Sequence, residues 1–201
     1  MIEIVSKPDA VSWDEISRVV YLSHAKNREN GLDIRNANLT GKEIEERLGN
    51  EGKCFIARKT SDGTIIATAS VAFHKLDRWY AHGLFAYLTL EAVLPEWSGQ
   101  HIFSLLSLER MKHVNSLHCD GTYMYVAEGN TLRRHIANKE GFISVAIDRT
   151  EYNRHNYLTY VKWLGNKPHS LFYIRTRYVF NWIKLKLKNC LLLIFLIKQK
   201  S

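Results

Sequence analysis

Cysteine and proline are scarce in this sequence, which has three of each among its 201 residues. The three cysteines are far apart, which excludes a disulfide-stapled secreted scaffold and a zinc site built from paired cysteines. Nine histidines are scattered without a ligand spacing, so no metal site is predicted. The N-terminus does not resemble a signal peptide, and we expect the protein in a reducing cytoplasm.

Acidic residues are missing from the C-terminal part of the chain. Residues 165–201 contain eight lysines or arginines and no aspartate or glutamate, so they carry the whole formal net charge of +8. Residues 1–164 are neutral overall. A nucleic-acid-binding domain would carry its basic residues on a folded face, so nucleic-acid binding is not expected.

A long hydrophobic run is also lacking. Cys190–Ile197 is only eight apolar residues, and Lys184, Lys186 and Lys188 precede it, so a membrane-spanning helix is excluded. Two interpretations of residues 168–201 stay open. One is peripheral contact with anionic lipid at the inner face of the membrane; the other is a helix packed on its own domain or on the second subunit of a homodimer.

What is present favours one α/β (α+β) domain at 1–164, followed by a basic, apolar C-terminal extension at 165–201. Apolar residues make up 46% of the chain, enough for a sizeable core. The helices and strands are predicted from hydrophobic periodicity, from the glycines, and from the capping pairs Ser12–Glu15 and Thr40–Glu43. The predicted helices are Ser12–His24, Thr40–Leu48, Ser98–Val114 and Thr131–Lys139. The predicted strands are Ile2–Val5, Cys54–Arg58, Thr64–Phe73, Leu84–Leu94, Thr122–Ala127, Phe142–Arg149 and Tyr157–Leu164. This order predicts a mixed sheet with at least one parallel pair at the strand–glycine–helix unit.

Three segments of the sequence resemble the GNAT N-acetyltransferase superfamily. They are the strand end Glu91–Glu96, the loop Trp97–Ile102, and Asn130 followed by Glu140-Gly141-Phe142. The resemblance covers Ile2–Leu164 in element order and implies acetyl-CoA as cosubstrate. The pattern as a whole is similar to members of this family found among bacterial surface-glycan (polysaccharide) synthesis proteins.

The resemblance also implies the cofactor-binding residues. Backbone N–H groups at the start of a helix bind phosphate without particular side chains, and here they would bind the pyrophosphate. The implied positions are Ala92, Val93, Leu94, Ser98, Gly99, Gln100, His101, Ile102, Phe103, Ser104 and, for the pantetheine arm, Asn130. The family usually has Arg or Gln where Ser98 stands and Gly where His101 and Phe103 stand. The alternatives are a modified pyrophosphate site and a strand-to-helix turn without a ligand.

Catalytic candidates follow from the predicted fourth strand. Counting in twos places Tyr87, Thr89 and Glu91 on one face, and the family often takes its base from this strand. Glu91 is the first candidate for the base and Tyr87 the second. The alternative for Glu91 is a salt-bridged carboxylate, and the alternative for Tyr87 is an aromatic ring in the core. The family's thiolate-protonating Tyr is replaced by Ala137, with His135 as a conceivable substitute or simply a surface residue.

The acceptor is predicted to be a small polar molecule, with an amino sugar or nucleotide-sugar as one class. The segment His74–Gly83 is predicted to be a loop that lines its site, because its rings and charges suit a hydroxylated ligand. The sequence therefore predicts an acetyl-CoA-dependent N-acetyltransferase. The alternative is a non-catalytic GNAT-like binding module held at a membrane surface by its C-terminal tail.

Overall fold

The computed structural model describes residues 1–32, 34, 36–149 and 156–198, and side chains up to Ile147 and from Asn156 to Leu187 apart from those gaps. The helices are α1 (Trp13–Ser23), α2 (Ala25–Glu29), α3 (Gly41–Leu48), α4 (Ile102–Ser116), α5 (Thr131–Lys139) and α6 (Leu171–Lys198). The strands are β1 (Ile2–Ser6), β2 (Lys53–Lys59), β3 (Ile65–Arg78), β4 (Ala81–Val93), β5 (Gly121–Ala127), β6 (Ile143–Arg149) and β7 (Asn156–Trp163). The polar segment Asn30–Ala37, between the first and third helices, lies partly outside the described residues.

The seven strands form one sheet in the order β1-β2-β3-β4-β5-β7-β6. Every neighbouring pair is antiparallel except β4 and β5, which are parallel. A parallel pair needs a long crossover, and α4 supplies it. The predicted mixed sheet with its parallel pair is confirmed.

Helices cover both faces of the sheet. On one face α1 and α3 bury Ile16, Val20 and Ile44 against the strands. On the other face α4 buries Ile102 and Leu106. The first eight residues of β3, 65–72, are buried because helices pack on both faces of this strand.

The predicted capping boxes start α1 and α3. The Ser12 hydroxyl accepts from the Glu15 amide at 3.2 Å, and the Glu15 carboxylate accepts from the Ser12 amide at 2.8 Å. Thr40 and Glu43 make the same pair of bonds. Gly49 then ends α3 with φ 64°, a conformation that glycine adopts without a steric penalty.

The segment His74–Gly83 is not a loop, and this expectation is corrected. β3 and β4 stay paired to Arg78 and Ala81, so only Trp79 and Tyr80 form the turn of a long hairpin. The Trp79 ring stacks on His169 and meets Tyr173 edge-on, with ring centroids 6.3 and 6.2 Å apart. The turn is therefore packed by the C-terminal segment.

The C-terminal segment forms α6, which packs along the edge strand β6. Ile174 is fully buried, and Tyr178 packs against the core cluster that includes Phe142 and Leu158. Lys186 pairs with Glu128 at 3.2 Å. Up to Lys186 the segment thus packs on its own domain, and the peripheral membrane contact stays a prediction. Among the described residues, none of the helices has the length and apolarity needed to cross a membrane.

Candidate functional site

β4 and β5 separate after a short parallel contact. Their pairing ends at Tyr87 and Tyr123, whereas β4 continues to Val93 and β5 to Ala127. A cavity of about 220 Å³ occupies the opening. Its walls come from both faces of the sheet: His24 and Asn36 on the side of α1, and Phe103, Asn130 and Arg133 on the side of α4 and α5. The cavity is therefore a passage between the two strands.

A β-bulge at Leu90 shapes one wall of this cavity. Leu90 has φ 51°, a left-handed conformation that is rare for a branched side chain. Between Ser70 and Thr68 of β3 the register shifts, so that three steps along β4 oppose two along β3. An extra residue turns the following side chains to the opposite face.

The bulge corrects the expectation that Tyr87, Thr89 and Glu91 share a face. Asn36 donates to the Tyr87 hydroxyl at 3.2 Å and to the Thr89 hydroxyl at 2.8 Å, so these two side chains lie together on the α1 side. Glu91 instead points to the α4 side, where it meets Arg110. A count in twos cannot anticipate this change of face, because the extra residue leaves no pattern in the sequence.

Two arginines hold the Glu91 carboxylate. Arg110, only 1% exposed, donates to Oε1 at 2.7 Å, and Arg133 lies 2.8 Å from Oε2. Burial by itself raises the pKa of Glu91, but the positive charges of the two arginines outweigh it and leave the pKa below its usual range. The arrangement is that of a structural carboxylate, and a proton acceptor role for Glu91 stays a prediction.

The side of the cavity nearest α1 is aromatic. Tyr87 stacks on Tyr123 with ring centroids 5.0 Å apart and meets Tyr125 edge-on at 5.5 Å. His74 stacks on Tyr87 at 5.8 Å, and its Nδ1 lies 2.5 Å from the Tyr123 hydroxyl oxygen. Burial lowers the pKa of His74, which favours the neutral ring. Of these rings, Tyr87 and Tyr125 line the cavity, where they suit a flat or hydroxylated ligand.

Sequence reasoning missed the connected roles of Asn36, His74 and Tyr123. Asn36 also accepts a hydrogen bond from Arg47 of α3, which fixes its orientation toward the strands. The sequence predicts His74 in a loop, whereas it lies in β3. The alternation of His74 with Ala72 and Leu76 along β3 is the signal that could have placed its ring on the cavity side.

The loop before α4 has an unusual residue at its end. After a 3₁₀ turn at Pro95–Trp97, His101 precedes the helix with φ 59°. The side chain of His101 makes no capping hydrogen bond. The first amides of α4 have no intrahelical acceptor, and the helix macrodipole adds positive potential there. Ser98, Gly99, Gln100, His101 and Ser104 are exposed around this helix start.

The structure places the predicted cofactor-binding residues in four different settings. Ala92, Val93, Phe103 and Asn130 line the cavity, and the exposed loop residues surround the start of α4. Ile102 is buried in the core, so only its backbone amide is at the helix start. The Leu94 amide donates to Ile66 O at 2.9 Å and belongs to the sheet.

The segment around α5 contains three residues that the sequence singles out: Asn130, Ala137 and His135. The Asn130 side-chain oxygen accepts from the Arg133 amide at 3.0 Å, so Asn130 is the N-cap of α5 as well as a cavity residue. Ala137 is fully buried in the core. His135 is exposed and does not line the cavity, so the structure does not place it where a thiolate would be protonated.

Comparison with known proteins supports the fold. No protein-family profile matches this sequence, and no curated protein matches it either. Solved structures do match. The ribosomal-protein alanine N-acetyltransferase from Escherichia coli is 16% identical, with a TM-score of 0.61 over 83% of this chain and 96% of that one. A GNAT-family acetyltransferase from Staphylococcus aureus is also 16% identical, with a TM-score of 0.60 over 82% and 99%.

A third matching structure contains bound CoA. The NatC complex bound to Gag peptide and CoA includes a chain 16% identical to this one, with a TM-score of 0.62 over 81% of this chain and 98% of that one. At such identities the likeness is one of fold. The chain has the GNAT fold, a mixed sheet flanked by helices.

Proposed function

We propose that this protein is an acetyl-CoA-dependent N-acetyltransferase. One observation carries the proposal: the cavity between the separated ends of β4 and β5 lies beside the uncapped start of α4. Acetyl-CoA would place its anionic pyrophosphate at the helix start and its narrow pantetheine arm between the strands. The structural neighbours support acyl transfer in general, and one of them was solved with CoA.

The residues at the helix start fit a pyrophosphate. The loop is exposed, and α4 is long enough to have a full macrodipole. The amides of Gly99 to Phe103 would hold the phosphate oxygens, which needs no particular side chain. Ser98 and His101 therefore replace the family's usual residues without removing the binding groups.

Tyr87 is the proposed catalytic residue. Its hydroxyl oxygen accepts a hydrogen bond from Asn36, which leaves its proton to be donated. A hydroxyl proton aimed into the cavity can stabilise the oxyanion of the tetrahedral intermediate and protonate the departing thiolate. Tyr87 would in this way supply the acid that Ala137 cannot.

The acceptor amine must attack as the free base. Glu91 stays a candidate for removing its proton, but both carboxylate oxygens are engaged by arginines on the opposite face. His24, which lines the cavity, accepts from Asn27 at Nδ1 at 3.0 Å. A neutral ring accepting there carries its proton on Nε2, so His24 would donate to a ligand and position it.

We propose a small polar amine as the acceptor, with an amino sugar or nucleotide-sugar as the first class to test. Support comes from the rings of Tyr87 and Tyr125, which offer stacking, and from His24, which would donate a hydrogen bond. Two structural neighbours are described as an alanine N-acetyltransferase of a ribosomal protein and a complex with a peptide. A peptide N-terminal amine is therefore the comparison substrate.

The test is release of CoA thiol from acetyl-CoA with a panel of amino sugars, nucleotide-linked amino sugars and short peptides. Acetylated product identified by mass spectrometry supports the proposal, and the preferred class decides the acceptor. Binding of acetyl-CoA without turnover on any amine would instead favour the non-catalytic binding module.

A further inference from the structure

Up to Leu187, where its side chains are described, α6 has apolar residues on two opposite faces, and one of these faces packs on the described residues of the domain. Ile174 and Tyr178, one helical turn apart, lie on the inner face against β6. Leu185 continues that face and is partly buried. A helix with apolar residues on two faces has a weak overall hydrophobic asymmetry, although each face is well defined.

The outer face of α6 is an exposed apolar stripe. With about 3.6 residues per turn, its members fall within about 100° of the helix circumference, which places them along one side of the helix. They are Phe172 (81% exposed), Val179 (50%), Phe180 (67%), Ile183 (45%) and Leu187 (60%). At 1.5 Å per residue the stripe is about 22 Å long. An apolar surface of this extent on a soluble domain marks an interaction site.

Basic residues border the stripe on both sides. With about 3.6 residues per turn, Arg175 and Lys186 lie along one side, and Arg177 and Lys184 along the other. Arg175, Arg177 and Lys184 are exposed. Lys186 is paired with Glu128, whereas residues 165–201 contain no acidic residue that could neutralise the other three. The outer face is therefore an apolar stripe between two cationic edges.

We propose that this outer face of α6 docks on the surface of an anionic lipid bilayer. The apolar stripe would enter the boundary between headgroups and acyl chains, and the cationic edges would meet the anionic headgroups. The sequence beyond Leu187 continues with the apolar run Cys190–Ile197 and two further lysines, Lys198 and Lys200. This docking is independent of acetyl transfer.

Charge argues against a second copy of the chain as the occupant. Two stripes placed face to face would bring Arg175, Arg177 and Lys184 of both copies together, and α6 offers no carboxylate to separate them. Like charges at such distances repel. An anionic bilayer supplies the opposite charge on a surface that a straight stripe can contact along its length.

The test is co-sedimentation of the full-length protein with vesicles of phosphatidylcholine containing about one third phosphatidylserine. We expect pelleting that is lost on pure phosphatidylcholine and weakened by high salt. Replacing Phe172, Phe180 and Ile183 together by Ser should weaken the partition about tenfold or more, because these side chains would no longer enter the interface. Arg175→Gln with Lys184→Gln should also weaken it, by about thirtyfold, since each charge contributes about 1 kcal/mol.

The matched control replaces Leu105 and Leu108 of α4 by Ser. These side chains are 50% and 55% exposed on another helix, so pelleting should not change. Because all substituted side chains are exposed, unchanged thermal unfolding will show that the variants are folded. Absence of pelleting, or pelleting that the three-residue variant retains, would overturn the proposal. A dimer that the same variant dissociates would assign the stripe to a second copy and overturn it too.

Discussion

The carboxylate of Glu91 and the guanidinium of Arg110 form a buried ion pair, 2.7 Å apart, beneath the opening between β4 and β5. Arg110 comes from α4 and Glu91 from the strand after the bulge, so the pair joins the helix to the wall of the cavity. Arg133 of α5 completes the group by binding the same carboxylate. The three residues fix the relative positions of the elements that would hold the cofactor.

Glu91→Gln should mainly lower stability. The substitution removes the charge that balances Arg110, and leaving one partner of a buried pair unbalanced costs about 3 kcal/mol or more. Urea unfolding measures the loss. Glu109→Gln is the control, because Glu109 pairs with Lys112 at the surface and such pairs contribute little.

The same variant distinguishes two roles of Glu91. If Glu91 is structural, turnover per folded molecule at low temperature stays within a fewfold of the native value. Unchanged unfolding free energy together with a loss of turnover would show that Glu91 is the base and contradict the structural assignment.

Tyr87→Phe should lower kcat by about a hundredfold, the low end of what general acid catalysis contributes. Acetyl-CoA affinity should be little changed, because the ring and its stacking on Tyr123 remain. Tyr21→Phe, an exposed tyrosine on α1, is the control. Retained kcat in Tyr87→Phe would remove this hydroxyl from the mechanism.

His101→Gly should stabilise the protein by about 1 kcal/mol. His101 has φ 59°, a conformation that costs a residue with a side chain about 1–2 kcal/mol of folding free energy and costs glycine less. Part of this gain is offset because glycine makes the unfolded chain more flexible. For a chain of this size the melting temperature should rise by roughly 2–4 °C. Gln100→Gly, the neighbouring loop residue, serves as the control and should not stabilise. A lower melting temperature for His101→Gly would show that the His101 side chain makes a stabilising contribution.

Mild acid should destabilise the protein through His24. Burial, helped by the charge of Arg28, lowers the pKa of His24 from 6.5 to about 4. The unfolded chain therefore binds a proton that the folded one does not. This contribution to stability is complete above pH 6.5 and is lost as the pH falls towards about 4.

The expected loss between pH 7 and pH 5 is at most about 2 kcal/mol, measured by urea unfolding. His24→Gln should flatten this dependence, whereas His82→Gln at the exposed hairpin tip should not. An unchanged pH dependence in His24→Gln would contradict the assignment.

Local signals account for the parts of the fold that the sequence predicts. Capping boxes at Ser12 and Thr40 place two helices because the cap and its partner are three residues apart in the chain. The parallel pair follows from the strand–glycine–helix order around Gly99. These features depend on neighbours in sequence, and the structure confirms them.

The candidate site was less predictable because it depends on tertiary geometry. The bulge at Leu90 changes the face of Glu91, and a leucine with positive φ leaves no sequence signal. Asn36 reaches Tyr87 across 51 positions of the chain. Likewise, the low overall asymmetry of α6 concealed two apolar faces, which become distinct only once Ile174 is seen to be buried.

Binding of acetyl-CoA to the native protein and to Ser104→Glu tests the central claim most directly. Ser104 is exposed in the first turn of α4, where an acidic side chain stabilises the helix but repels a pyrophosphate. Leu108→Glu, one turn along, is the matched control. At about 100 times its dissociation constant, acetyl-CoA should raise the melting temperature of the native protein and of Leu108→Glu by roughly 5–10 °C. Ser104→Glu should bind about tenfold more weakly. No shift at millimolar acetyl-CoA, or equal binding by Ser104→Glu, would contradict a cofactor site at the start of α4.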